Sequence, residues 1–206
     1  RAPQHNENPL DFIVADYAVN YPFTYLDHDR ALLTPYAAIG RKDGHSQVRA
    51  WLSNVWRAPE NIQTYSLLLR MTEHIHSTLK YRMREQPGVQ SAEQTLTRGT
   101  GSCRDFAFLF MQAATCLGLA ARFVSGYLYV PLSTESGSTH AWAEVYLPGA
   151  GWIGLDPTSG LFCGEGHIPL ACTAVPGSAA AITGSYSWQS DDEDDKVEEK
   201  FLFSMK

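Results

Sequence analysis

The chain has 206 residues, 44% of them apolar, and a formal net charge of −6. It can bury one substantial core, and no stretch approaches the roughly 18 consecutive apolar residues that a membrane-spanning helix needs. Residues 191–200 hold seven of the 22 acids, which leaves 15 acids against 14 bases elsewhere. This near-neutral body excludes the basic face of a nucleic-acid binder. We expect a soluble, cytoplasmic protein with neither a nucleic-acid nor a membrane partner.

Three segments are expected along the chain. Residues 1–35 start polar and continue into aromatic, mixed sequence, which is typical of an N-terminal extension. Residues 36–188 carry the periodic patterns and form the predicted core. Residues 189–206 combine the acidic run, interpreted as a solvated linker, with the alternating sequence KFLFSMK, predicted to be a strand that returns to the core.

Three helices are predicted. Apolar residues recur at helical spacing over residues 59–81, which indicates an amphipathic helix. A short helix is expected after Ser91, a favourable cap residue followed by a glutamate, and before a glycine turn that ends at Gly101. The next helix is predicted to begin at Cys103 and to end near Gly118, because Ser102 and Asp105 have the spacing of a capping box.

Strand-like sequence follows the helices. Residues 121–130, 140–147 and 151–157 are predicted strands, and the short PGA link between the last two is compatible with an antiparallel hairpin. The small-residue segment 171–185 predicts a loop with a short strand. Helices followed by consecutive antiparallel strands indicate an α+β fold.

The four cysteines lack the spacing of a zinc site. Cys163 and Cys172 could form a disulfide across a loop, although free thiols are expected in a reducing cytoplasm. Cys103 is different, because unpaired N–H groups and the helix dipole at a helix N-terminus favour a thiolate. A lone cysteine in that position can equally be a small buried apolar residue.

A reactive thiolate needs a base, and the base needs an orienting group. His140 opens one predicted strand and Asp156 closes the next, so antiparallel pairing would make them cross-strand neighbours. Taken singly, His140 would be a structural histidine and Asp156 the start of a turn. Together with Cys103 they supply the residue types of a Cys–His–Asp triad.

Two blocks, GTGSCRDFAFLFMQAATCLGLAARFVSGYL and THAWAEVYLPGAGWIGLDPTSG, resemble the bacterial transglutaminase-like cysteine peptidase superfamily. The resemblance covers roughly residues 65–173 and implies a papain-like core with N-terminal helices packed on an antiparallel β-sheet. It implies a catalytic triad of Cys103, His140 and Asp156. By analogy with bacterial members, residues 1–35 could be the stub of a preceding β-rich domain.

The resemblance further implies an amide or peptide hydrolase that acts on a protein or peptide through an acyl-thioester. The alternatives are protein crosslinking by transfer to an amine, and a non-catalytic binding module of the same fold. We find no calcium loop and predict no cofactor or metal ion; the oligomeric state is not indicated. We expect the oxyanion hole to use the backbone N–H of Cys103 and, as the side-chain donor, Tyr81. Gln94 is the alternative donor. The structural interpretation of Tyr81 is that it is an ordinary core tyrosine.

Overall fold

The computed structural model describes residues 14–38, 45–129 and 138–179. The helices in these ranges are α1 (Asp27–Ala37), α2 (Ser46–Leu52), α3 (Thr64–Thr78), α4 (Ala92–Arg98) and α5 (Cys103–Cys116). The strands are β1 (Asn20–Tyr21), β2 (Ile62–Gln63), β3 (Lys80–Tyr81), β4 (Thr100–Gly101), β5 (Ala121–Leu128), β6 (Ser138–Leu147), β7 (Gly151–Asp156), β8 (Leu161–Phe162) and β9 (His167–Thr173). None of these helices combines the length and the hydropathy needed to cross a membrane.

The main sheet has five antiparallel strands in the order β8-β7-β6-β5-β9. Strands β5, β6 and β7 are neighbours both in sequence and in space, whereas β9 pairs with β5 at the edge opposite β8. The four residues between β8 and β9 must therefore cross the sheet from one edge to the other. Two small pairs lie outside this sheet: β1 with β2, antiparallel, and β3 with β4, parallel.

Helix α5 forms the centre of the core. It packs on β5 and β6 on one side and contacts α2, α3 and α4 on the others. A helix surrounded in this way must be apolar around most of its circumference. Its fully buried apolar side chains are Phe106, Ala107, Leu109, Phe110, Met111, Ala113 and Ala114. Each large one stabilises the fold by roughly 1.5–3 kcal/mol relative to exposure.

The α+β fold with helices packed on an antiparallel sheet is confirmed. The predicted helix over residues 59–81 is too long: α3 spans Thr64–Thr78, because the backbone on either side pairs as β2 and β3. Helices α1 and α2 and strands β8 and β9 add to the predicted elements. The acidic run and KFLFSMK lie outside the described residues, and the three-segment division of the chain stays a prediction.

Candidate active site

The predicted helix start at Cys103 is confirmed, since Cys103 is the first residue of α5. Ser102 precedes it with extended backbone, and its N–H and Oγ–H both donate to Oδ2 of Asp105 at 2.8 Å. Gly101 allows this tight entry, because a Cβ there would lie 2.9 Å from the Asp105 Cβ. The thiol is therefore held where the unpaired N–H groups of the helix create positive potential.

Asp105 is completely buried and receives more donors than the capping box alone. Arg84 binds it through both oxygens, Nε to Oδ2 at 2.8 Å and Nη2 to Oδ1 at 3.0 Å. Gln90 donates its backbone N–H to Oδ1 at 2.8 Å and its amide to Oδ2 at 3.2 Å. Burial alone would raise the pKa of Asp105, but these donors lower it to about 2. The start of α5 is thus anchored by an ion pair whose carboxylate is fully buried and accepts hydrogen bonds on both oxygens.

His140 and Asp156 lie close together, as the sequence predicts, but they are diagonal neighbours on adjacent strands and not directly opposite each other. The pairing of β6 with β7 ends at Ala143 opposite Leu155. One further step of that register puts Asp156 opposite Trp142, two residues from His140. Side chains on the same face can bridge such a diagonal, and here His140 Nε2 lies 3.0 Å from Asp156 Oδ2. Both residues are buried, with 9% and 1% of their surfaces exposed.

The side chain of Cys103 also interacts with His140. Since Nε2 is directed at Asp156, Nδ1 is the ring nitrogen left for the sulfur. Burial lowers the pKa of His140, but the interactions with Asp156 and then Cys103 outweigh it and raise the pKa to about 9. A protonated imidazole beside a thiol stabilises the thiolate. The structure therefore brings the three predicted residues together.

A second histidine, which the sequence analysis missed, contacts the same carboxylate. His167 Nε2 lies 3.3 Å from Asp156 Oδ2, and His167 Nδ1 accepts the backbone N–H of Gly164 at 3.1 Å. Burial raises the pKa of Asp156, but the bonds with His140 and His167 hold it far below its ordinary value. The only sequence signal for His167 is a histidine shortly after Asp156, because its position depends on the pairing of β9 with β5.

Tyr81 lies close to the start of α5 because β3 pairs in parallel with β4, with Tyr81 opposite Gly101. Its ring meets Phe106 edge-on, with 6.4 Å between the ring centroids. Desolvation, followed by the charge of Cys103, raises the pKa of Tyr81. The side chain is 48% exposed, so it is not an ordinary core tyrosine.

The alternative donor, Gln94, has a different structural role. It is the third residue of α4, and its carboxamide oxygen accepts the Ser91 N–H at 3.1 Å. Its backbone N–H in turn donates to Ser91 Oγ at 3.1 Å. The predicted serine cap is confirmed, and its partner is Gln94 rather than the adjacent glutamate.

A cleft of about 510 Å³ opens beside Cys103 and His140. Arg104, Ser125 and Thr139 contribute polar atoms to its wall. The remaining lining is small or apolar: Gly88, Val89, Phe123, Ala141, Pro176, Gly177 and Ala179. A predominantly apolar groove with a few polar groups is typical of a substrate site.

The ring and carboxylate atoms of His140, Asp156 and His167 all lie within 4.8 Å of one another, so this cluster could in principle bind a metal ion. The hydrogen-bond pattern does not fit that role. A metal bound to Nε2 of a neutral His167 would require the proton on Nδ1, where the Gly164 N–H already donates. The cluster is better described as two imidazole rings that donate to one carboxylate.

Helix α5, the antiparallel sheet and the chain order Cys103, His140, Asp156 are those of a papain-like core of the transglutaminase type. Residues 58–157, just under half of the chain, match the sequence profile of the Transglutaminase-like superfamily. Residues 58–157 therefore carry a transglutaminase-like domain.

The chain is also similar in sequence to mycobacterial proteins. The chain is 33% identical over 92 residues to an uncharacterized protein of Mycobacterium leprae, covering 42% of this chain and 32% of that protein. It is 31% identical over 112 residues to one of Mycobacterium tuberculosis, covering 50% and 36% respectively. The matches thus span about a third of each relative's length.

The crystal structure of a candidate cysteine protease from Cytophaga hutchinsonii is also similar. Its TM-score is 0.59 with 26% sequence identity, over 80% of this chain and 53% of the other. The superfamily and this likeness together support a general assignment to the cysteine-dependent enzymes.

Proposed function

We propose that the chain is a cysteine-dependent hydrolase that cleaves an amide bond through an acyl-thioester on Cys103. The observation that carries the proposal is the position of His140, which interacts with the Cys103 side chain and, through Nε2, lies 3.0 Å from Oδ2 of the buried Asp156. A structural histidine needs only one such partner. A thiol, an imidazole and a carboxylate in series form the arrangement that activates a nucleophile.

In the acylation step, the Cys103 thiolate attacks the carbonyl carbon and a tetrahedral oxyanion forms. The Cys103 N–H, at the first position of α5 and without an intrahelical acceptor, donates to that oxygen. Tyr81 is the proposed side-chain donor. The C–N bond then breaks, and His140 gives its Nδ1 proton to the leaving amine while Asp156 holds Nε2.

In the deacylation step, His140 is neutral and accepts a proton from water, whose oxygen attacks the thioester. The C–S bond breaks, the acid product leaves, and the thiolate and the imidazolium re-form. The cycle consumes one water molecule and needs no cofactor. A lysine amine that reached the thioester before water would produce an isopeptide crosslink instead.

The cleft favours a peptide or protein as the substrate. Its largely apolar lining includes Cys103 and encloses about 510 Å³, which is room for part of a peptide. No acidic residue is among its lining residues, and the cationic ones are Arg104 and the protonated His140.

The reactivity of Cys103 tests the proposal. We expect iodoacetamide to modify Cys103 at pH 6.5 at least about tenfold faster than the exposed Cys172, because a neighbouring imidazolium stabilises the thiolate form. His140→Ala should remove that advantage. Site-resolved mass spectrometry over pH 4–10 measures both rates. A Cys103 that reacts like an ordinary thiol, or not at all, would favour the non-catalytic binding module.

A separate experiment asks whether water or an amine accepts the acyl group. It uses a glutamine-bearing protein and a labelled primary amine. Hydrolysis releases ammonia and leaves glutamate without incorporating the label, whereas crosslinking activity incorporates it. Cys103→Ala is the control for both reactions. If label incorporation depends on Cys103, the proposed hydrolase activity is wrong and the chain is a transglutaminase that uses the same residues.

A further inference from the structure

We propose that His167 is a positioning residue of this site: it donates its Nε2 proton to Asp156 and holds the carboxylate toward His140. The inference rests on the proposed function, because it concerns the orientation of the proposed base. The inference adds His167 as a fourth residue to the site formed by Cys103, His140 and Asp156.

The chain reaches this position by crossing the sheet between β8 and β9. The N–H of Cys163 donates to the carbonyl of Gly154 in β7 at 3.0 Å. The carbonyl of Gly166 accepts the N–H of Tyr129, just after β5, at 2.8 Å. The segment is thus tied to the backbone at both sides of β6, and it delivers His167 to the end of the sheet where Asp156 lies.

Two glycines let the crossing segment approach the sheet closely. A Cβ on Gly154 would lie 2.8 Å from the Cβ of Cys163. A Cβ on Gly126, in β5, would collide with the carbonyl oxygen of Ile168 and come within 2.9 Å of the Trp142 ring. Larger side chains at these positions would lift the segment and His167 away from the sheet.

The protonation of the His167 ring follows from its two partners. A backbone N–H can only donate, so the bond from Gly164 makes Nδ1 an acceptor. The neutral ring must then carry its proton on Nε2, which faces Asp156 Oδ2 at 3.3 Å. His167 is therefore a fixed donor to the carboxylate.

The Asp156 carboxylate is consequently held by donors from separate parts of the chain. Oδ1 accepts the N–H of Thr158 at 2.9 Å, a local bond within the turn after β7. Oδ2 accepts from His140 and from His167. The local bond alone does not set the direction of Oδ2, whereas two imidazoles on the same oxygen do. A buried carboxylate also requires this degree of hydrogen bonding to stay ionised.

The indole of Trp142 keeps the two imidazoles apart and in place. It lies nearly parallel to the His140 ring, with 6.3 Å between centroids, and meets His167 edge-on at 5.2 Å. The two imidazole centroids are 5.8 Å apart. Trp142 itself is only 2% exposed, so neither ring can move toward it. The rings therefore converge on Asp156 rather than on each other.

Two substitutions separate the two bonds of His167. In His167→Asn the side-chain oxygen can still accept the backbone N–H of Gly164, but the shorter side chain no longer donates a hydrogen bond to Asp156. In His167→Gln the amide N–H can reach Asp156, while the bond from Gly164 is lost. The readout is the pH profile of Cys103 alkylation, which reports the thiolate–imidazolium pair rather than stability. His28→Asn, at a side chain that is 73% exposed, is the control for loss of a histidine.

We expect His167→Asn to lower the rate of Cys103 alkylation at pH 6.5 about tenfold. The acid side of the rate–pH profile should move toward higher pH by about one unit. His167→Gln should restore most of the rate, and His28→Asn should match the parent. An unchanged profile in His167→Asn would overturn the inference. Equal impairment of both variants would also overturn it, because it would assign the effect to the Gly164 bond.

The outcomes distinguish this inference from the proposed function. If the parent Cys103 shows no His140-dependent reactivity, the proposed function fails and the positioning role fails with it. If that reactivity is present and His167→Asn retains it, only the positioning role fails. Should His167→Asn not fold, ¹⁵N NMR of the parent decides: a neutral His167 with its proton on Nε2 is expected, and a proton on Nδ1 would contradict the inference.

Discussion

The chemical character of each cysteine depends on its neighbours. Burial raises the pKa of Cys163 and, to a lesser degree, of Cys172, and the two are free thiols rather than a disulfide. Cys103, by contrast, interacts with the imidazole of His140. A thiolate is the reactive form, so identical side chains differ in reactivity by environment.

Tyr81→Phe tests the oxyanion donor. The substitution removes the hydroxyl and keeps the ring that contacts Phe106. We expect kcat for a peptide amide to fall about 100-fold, because the tetrahedral oxyanion loses one donor. The rate of Cys103 alkylation should be unchanged, since that reaction forms no oxyanion. Equal amide turnover in parent and variant would show that Tyr81 is not the donor.

At the scale of the element, the start of α5 is the most heavily anchored point among the described residues that position the site. Asp105 joins the capping box to Arg84 and Gln90, and these residues belong to the chain between β3 and α4. That segment also bounds the cleft beside Cys103. One carboxylate thus ties together helix α5 and a wall of the cleft.

Asp105→Ala is expected to lower the free energy of unfolding by about 3–5 kcal/mol, because it removes the carboxylate that neutralises Arg84, whose side chain is only 14% exposed. Ser91→Ala, which disrupts the more exposed capping box of α4, should cost only about 1 kcal/mol. Urea unfolding monitored by circular dichroism measures both. A loss below about 1 kcal/mol in Asp105→Ala would contradict the role of the network.

At the scale of the whole molecule, the sheet and the helices bring distant parts of the chain to one site. β6 carries His140, β7 carries Asp156 and the chain entering β9 carries His167, while the helical layer presents Cys103. The residues between Tyr21 and Tyr25, within the predicted N-terminal extension, also contact this core: Tyr25 donates to the carbonyl of Tyr146 at 2.8 Å. Cytoplasmic location, the peptide substrate and the segment boundaries stay predictions.

Stability should depend on pH at both ends of the range. The pKa of Asp105 is about 2 in the fold and near 4 when unfolded, so its contribution of about 2 kcal/mol is present above pH 4 and is lost toward pH 2. The pKa of Asp156 is also lowered in the fold, so its contribution to stability is likewise lost at acid pH. The pKa of His140 is raised to about 9, so its contribution is present below pH 6.5 and is lost as the pH rises through 9.

Urea unfolding from pH 2 to 10 should therefore show maximal stability between about pH 4 and 6.5. His140→Ala should reduce the decline on the alkaline side and leave most of the acid decline that Asp105 causes. A free energy of unfolding that stays constant between pH 5 and 2 would contradict the assignment of Asp105.

The sequence by itself determined the features that depend on residues close together in the chain. The cap at Ser102, the start of α5 at Cys103 and the hairpin of β6 and β7 follow from i,i+3 spacing, from alternation and from a short link. The two blocks also placed Cys103, His140 and Asp156 in the chain order of the superfamily.

Only the tertiary structure decided the features that depend on distant pairing. Asp105 gains Arg84 and Gln90 because β3 and β4 pair, and His167 reaches Asp156 because β9 joins the sheet on the far side of β5. Even the contact between His140 and Asp156 is diagonal, which follows from the register and not from strand order. Local patterns specify elements through backbone and capping energetics, whereas the partners of a buried charge are set by how the whole chain packs.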